Sequence, residues 1–297
     1  MRSSVFLLFL FFSLSSSLMA QEKSAYALFD GRSKPLKYKK LLKQAAAADV
    51  ICFGELHNNP IAHWLQWELL NDLIEIKGSL NLVVGAEMLE THQQQALSDY
   101  VGGFIDRKAF ESEVTLWSNY ATDYRPVVEN CRENGIPFIA TNPPRSYARQ
   151  VSQQGLESLD TLPEKEKALL APLPIEVDYE LPSYAAMKEM LGGHGGGMDP
   201  KNFIGAQAIK DATMAHFILQ NWEAGKLFYH LNGAYHSDHR EGIVWYLKQA
   251  QPELNVFTLT VAEQAAVKAV EEEHQNKADV IILVPASMTK TYLSGFE

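Results

Sequence analysis

Strand-length apolar runs recur along this chain between longer stretches of helical character: Asp49 to Phe53, Leu80 to Val84, Ile136 to Ala140, Leu227 to Leu231, Asn255 to Thr260 and Asp279 to Val284. Strands that alternate with helices, and are apolar enough to be covered on both faces, belong in a mostly parallel sheet. The expected fold is therefore α/β, a parallel sheet flanked by helices, with a smaller inserted helical subdomain. Parallel strands all point one way, so loops distant in sequence meet at one sheet edge. Four of the strand ends carry reactive residues: Gly54-Glu55-Leu56-His57, Gly85-Ala86-Glu87, Asn142-Pro143-Pro144-Arg145 and Gly233-Ala234-Tyr235-His236. This predicts one pocket lined by Glu55, His57, Glu87, Asn142, Arg145 and His236.

The helices between these runs have recognisable boundaries. Residues 36–48 read as helix; Asn58 and Asn59 offer N-cap oxygens and Pro60 a first helical position for a helix to about Lys77. Further helices are expected from near Thr91, from Asp106 to Asn134, from Asp199 and Pro200 to about Trp222, from Arg240 to Gln249, and as a charged helix between the last two strands. The segment around Phe29-Asp30-Gly31 reads as a short exposed lead. Between Ser146 and about Pro200 the rhythm stops, with several prolines and the run Gly192-Gly193-His194-Gly195-Gly196-Gly197, which no regular element tolerates. In domain terms, residues 1–20 form a signal peptide and 21–297 one α/β domain, with helical insertions at about 91–134 and 146–223.

The signal peptide is read from Arg2, the apolar run Val5 to Leu14, a serine-rich stretch and Leu18-Met19-Ala20. That run falls short of the roughly 18 residues a membrane span needs. Export, cleavage and a periplasmic location are expected, and Gln21 in place of a cysteine argues against a lipid anchor. Removing residues 1–20 takes away one positive charge, Arg2, and no negative one, so the formal net charge moves from −10 to −11. Such a chain repels polyanions, and nucleic acid is not an expected partner. Cys52 and Cys131 read as buried thiols.

Each site residue admits two readings. Glu55 and His57, two apart where a buried strand must turn, can hold a metal ion or form a base with its orienting partner; they can also serve as a helix cap and a backbone-bonded imidazole. Glu87 follows a strand buried on both faces, so its carboxylate must be paired, metal-bound or protonated, and Arg145 is one candidate partner. His236 follows Gly233, where a missing side chain permits close approach to another group; it can also be a surface histidine in the polar run His236-Ser237-Asp238-His239-Arg240. Two histidines and two carboxylates suit Zn²⁺, Mn²⁺ or Fe²⁺, or a hydrogen-bonded network beside an organic ligand. Gln207, Asp211 and Met214 share one helix face, turned to the pocket or to solvent. His63 ranks second to these. Trp64, Trp67, Trp117, Tyr120 and Tyr124 read as core. His194 is a ligand on a lid or a polar linker residue.

Gly54 to Pro60 with His63, Glu87 with Gln93 to Gln95, Asn142 to Arg145, Gly193-His194, Ala206-Gln207 with Asp211 to Ala215, and Gly233 to His236 together resemble the ChaN-type haem-binding uptake proteins. These are grouped with the Tiki proteases and erythromycin esterases. The resemblance implies an exported protein with haem held between the sheet and a helical subdomain, serving iron acquisition. A homodimer and an outer-membrane haem receptor would be its partners. It also implies haem ligation through a tyrosine, for which Tyr120, Tyr124, Tyr179 and Tyr184 are the candidates, with Arg145 or Arg149 meeting a propionate and His194 and Asn142 also placed at the cofactor. The wider group implies instead a hydrolase for esters or peptides, in which Glu55, His57, Glu87 and His236 are catalytic or bind a divalent metal. Glu55 or Glu87 would then be the base, with Arg145 anchoring a substrate carboxylate.

Overall fold

The computed structural model describes residues 23–192 and 199–292. The signal peptide expected at 1–20, His194 and most of the glycine run lie outside the described residues.

Seven strands form one sheet: β1 (Ala27–Asp30), β2 (Val50–Glu55), β3 (Leu82–Glu90), β4 (Phe138–Asn142), β5 (Leu227–Gly233), β6 (Val256–Gln264) and β7 (Val280–Pro285). Their spatial order is β1-β7-β6-β2-β5-β3-β4. β1 runs antiparallel to β7 and every other pairing is parallel. The α/β reading holds, with two local corrections. The lead expected to be exposed contains edge strand β1, where Leu28 and Phe29 are buried. The charged helix expected before β7 is absent: β6 continues to Gln264 and only a short 3₁₀ turn, Glu272–His274, follows.

The helices are α1 (Tyr38–Ala45), α2 (Pro60–Lys77), α3 (Gln94–Val101), α4 (Arg107–Glu113), α5 (Arg125–Asn134), α6 (Arg145–Gln154), α7 (Glu164–Lys167), α8 (Pro182–Gly192), α9 (Pro200–Asn221) and α10 (Ile243–Ala250). Strand alternation splits the core into two layers. Ile51 and Phe53 of β2 join Leu65, Leu69 and Leu73 of α2 on one face, while Val50 and Cys52 pack with Met214 and Ile218 of α9 and Leu247 of α10 on the other. Cys52 and Cys131 are free and buried. Burial pushes the Cys52 thiol up to about 12. The helix expected over Asp106 to Asn134 is broken: α4 ends at Glu113, and a π-helical turn, Tyr120–Tyr124, leads into α5. Trp64 and Trp67 are not core; they are 45% and 38% exposed.

Chain order places the site. From β2 the chain passes over to β3 and β4, then returns to insert β5 between β2 and β3, and continues to β6 on the other side of β2. Ligands in open α/β sheets bind outside the carboxyl ends of strands where the order reverses, which here are the ends of β2, β5 and β3.

Candidate functional site

At the end of β2 the chain turns directly into α2. Asn59 caps that helix, its Oδ1 accepting from the backbone N–H of Ile61 (3.0 Å) and Ala62 (3.3 Å), with Pro60 next in sequence. This short turn fixes Glu55 and His57. Glu55 is buried, and its carboxylate collects donors from three elements: His57 Nδ1 at 2.8 Å and Tyr124 Oη at 2.6 Å on Oε1, and the Gln66 amide on Oε2. His63 Nδ1 stands 3.5 Å from Oε2. Burial opposes ionisation of Glu55, but His63, His57 and the Tyr124 hydroxyl outweigh it and hold the carboxyl below its usual range. His57 is the open member of the group, its side chain 34% exposed. Burial works against its proton, yet the bond to Glu55 and the charge of Glu87 raise its pKa. Its Nε2 makes no hydrogen bond among the described residues and lies over Gly233, where a Cβ would come within 2.7 Å of it.

A second network stands across Gly233. Glu87 Oε2 accepts from Gly233 N–H at 2.7 Å. His236 lies between two carboxylates, with Nε2 3.2 Å from Glu87 and Nδ1 2.5 Å from Asp211. The Gln207 amide is 2.9 Å from the same Nδ1, and the Tyr184 hydroxyl donates to Asp211 at 2.8 Å. Burial resists charge on His236, but Glu87 and Asp211 prevail and raise its pKa to about 10. Burial likewise resists charge on Glu87, and His236 with His57 overcomes it, holding the carboxyl well below its usual range. Both ring nitrogens of His236 are thus committed to carboxylates, an arrangement that favours the imidazolium form.

The expected pocket is resolved into adjoining cavities that share a wall of His57, Glu87 and Lys210. One, of about 630 Å³, is bordered by Glu55, Gln207, Tyr235, His236 and Lys277. It adjoins a more apolar space of about 500 Å³ against Pro182, Ala186 and Met187 of α8 and, again, Tyr235. The other, of about 640 Å³, contains Trp117, Asn119, Asn142 and Arg145. Asn142 and Arg145 therefore stand apart from His236. Arg145 pairs with Glu90 (3.5 Å), not with Glu87, because β3 runs on to Glu90 and turns Glu87 inward.

The divalent metal expected on Glu55, His57, Glu87 and His236 is not supported. Among the described residues no group of three or more His, Cys, Asp or Glu side chains is arranged to hold one. The physical reason is mutual pairing: the carboxylate oxygens point at imidazole and amide donors, and both His236 nitrogens are taken. Of the tyrosine candidates, Tyr124 and Tyr184 are buried on Glu55 and Asp211, Tyr120 is buried with its hydroxyl unpaired among the described residues, and Tyr179 lines a separate cavity. The residues that sequence reasoning missed are Gln66, Tyr235 and Asp123, whose Oδ2 stands 3.3 Å from His63 Nε2. Tyr235 is 79% exposed and borders both spaces on the α8 side; its position directly before His236 was the available signal.

A family model described as haem-binding uptake, Tiki superfamily, ChaN matches residues 41–247. Among solved structures, one showing cofacial heme binding to ChaN of Campylobacter jejuni superposes with a TM-score of 0.67 at 17% identity, covering 90% of this chain and 99% of that one. A mutant of the erythromycin esterase EreC, in its open conformation, superposes at 0.50 with 13% identity, covering 92% of this chain and 100% of that one. At such identities these two likenesses bear on the fold alone. A curated relative, RETICULATA-RELATED 5, chloroplastic, of Arabidopsis thaliana, is 28% identical over 149 residues, 48% of this chain and 19% of that protein. The chain thus spans about a fifth of the length of that relative.

Proposed function

The chain belongs to the haem-binding uptake family ChaN of the Tiki superfamily, and from that premise we propose that it is an exported protein that binds haem for haem or iron uptake, with haem seated between α8 and the loop after β5. The observation that carries this reading is Tyr235. A phenol can ligate ferric haem only as an anion, and burial followed by Glu55 pushes Tyr124 far above its ordinary range, as burial followed by Asp211 does Tyr184. Tyr235 stands in the open instead, against the apolar wall of Pro182, Ala186 and Met187. Lys277 borders both spaces beside it, a cation suited to a porphyrin carboxylate. An apolar slot with one oxygen donor and a cation at its rim fits haem, and each of the two spaces falls in the roughly 300–1,000 Å³ usual for small-molecule sites.

Hemin titration tests the proposal: a shifted Soret band and a stable complex are expected, with Tyr235→Phe altering the band and weakening the complex while Tyr124→Phe leaves the band in place. No Soret shift, or a Tyr235→Phe spectrum identical to wild type, refutes it. Export is tested by N-terminal sequencing of the secreted chain, which should begin at Gln21.

The Glu55–His57 pair favours a second reading, metal-free hydrolysis of an ester or peptide. His57, oriented through Nδ1 and with Nε2 unbonded among the described residues, is better suited to general base than Glu87, which His236 holds ionised and therefore weakly basic. In a panel of chromogenic esters and peptides, turnover should fall about 10²–10⁴-fold in His57→Gln. A panel showing no turnover retires this reading without touching the first.

A further inference from the structure

The cavity on the far side of the His57–Glu87 wall from Tyr235 has a different chemistry. It measures about 640 Å³ and lies where the ends of β3 and β4 face residues 115–119. Two cations border it. Lys210 is one, with its charge also felt by buried Asp211. Arg145 spends only its Nε on Glu90, and its side chain is 67% exposed. Two amide oxygens in the wall, Asn119 Oδ1 and Asn142 Oδ1, are buried and accept no hydrogen bond among the described residues. Asn119 is only 4% exposed, and its orientation is fixed because Nδ2 donates to the His57 carbonyl (2.9 Å) and to Asp123 (2.7 Å). Its Oδ1 is therefore held as an acceptor. Buried acceptors without donors are rare and costly in folded proteins.

We propose that this cavity is a second ligand site, which takes a small carboxylic acid carrying hydroxyl or amide N–H donors. The acid group meets Lys210 and Arg145, and the donors meet Asn119 and Asn142. Half-buried Trp117, edge-on to His57 at 4.9 Å, supplies apolar surface between the two ends. Haem is a poor match here, because porphyrin propionates bring further acceptors and no donor for the asparagines. The site is independent of the Tyr235 reading and stands or falls separately from it.

Isothermal titration calorimetry of the full mature chain against three probes tests the proposal: gluconate, with hydroxyl donors; N-acetylglycylglycine, with an amide donor; and hexanoate, with a carboxylate alone. At least one of the first two should bind with Kd below about 1 mM, and hexanoate at least roughly tenfold more weakly. Whichever of the two binds identifies the donor type. Lys210→Gln and Asn142→Leu should each weaken binding about tenfold with circular dichroism unchanged, whereas Tyr235→Phe should leave it intact. The proposal is overturned if neither donor-bearing acid binds, if hexanoate binds equally well, if both cavity variants keep wild-type affinity, or if Tyr235→Phe weakens the acid as much as they do.

Discussion

Two glutamate–histidine pairs flank Gly233, built from the same residue types at the same sheet edge, and they end differently. In Glu87–His236–Asp211 both imidazole nitrogens bind carboxylates and His236 is buried. In Glu55–His57 one nitrogen binds Glu55, the other makes no hydrogen bond among the described residues, and a third of the side chain is exposed. The first pair ties the β5 loop to β3 and α9 and leaves no group to exchange with a ligand. The second gathers its supports, Tyr124, Gln66 and His63, behind Glu55 and presents an imidazole to two cavities. Charge and residue type do not separate a clamp from a reactive group here; the number of committed ring nitrogens does.

The largest expected difference is in stability. His236→Ala leaves Glu87 and Asp211 buried without their cation and should cost about 3–5 kcal/mol in urea unfolding. A loss below about 1 kcal/mol would break the contrast, since that is the scale of an ordinary surface substitution. The same cation sets a pH dependence. Its pKa is raised from the ordinary 6.5 of histidine to about 10, so its contribution is fully present below the unfolded value and is lost as pH rises through about 10. Wild type should therefore lose stability between roughly pH 6.5 and 10 with a slope that His236→Ala lacks. Superimposable slopes would remove His236 as the cause. Smaller again is Tyr124→Phe, which takes one donor from Glu55 and should cost about 1.5–3 kcal/mol, the scale of a hydrogen bond to a charged group. In that variant the pKa of His57, followed by NMR, should rise as Glu55 relies more on its imidazole.

Much of this was legible in the sequence. Apolar runs with glycine at their ends located β2, β3, β4 and β5, and the Asn59-Pro60 signal fixed the start of α2. That was enough to bring Glu55, His57, Glu87 and His236 to one edge. Illegible were features set by where strands stop and which way side chains turn. β3 extends to Glu90, with a register shift against β4 between Ala86 and Glu90. That extension pairs Arg145 with Glu90 and leaves Glu87 to His236. Asp211 shares a helix face with Gln207 and Met214, but only the packing of α9 under β5 buries it completely. β1 escaped notice because four residues at an antiparallel edge carry too little periodicity. The π-helical turn that delivers Tyr124 to Glu55 leaves no sequence mark recognised in an unbroken helical pattern.

The smallest expected effect is also the sharpest probe of the contrast. His57→Gln removes an imidazole that is one-third exposed, and Glu55 keeps Tyr124 Oη and the Gln66 amide. The stability cost should stay under about 1 kcal/mol, within the range of substitutions that leave no buried charge unpaired. Function should respond out of proportion to that cost. Because Glu55 and Glu87 raise the pKa of His57, the group sheds its proton above the ordinary histidine range. Any ligand or substrate that needs a neutral imidazole should gain affinity or turnover as pH rises through that value, and His57→Gln should flatten the profile. One that needs the charged form should show the mirror image, falling as pH rises. If the profile is flat in wild type, or if His57→Gln destabilises the chain as severely as His236→Ala, the two pairs are one structural network and the open nitrogen of His57 has no separate role.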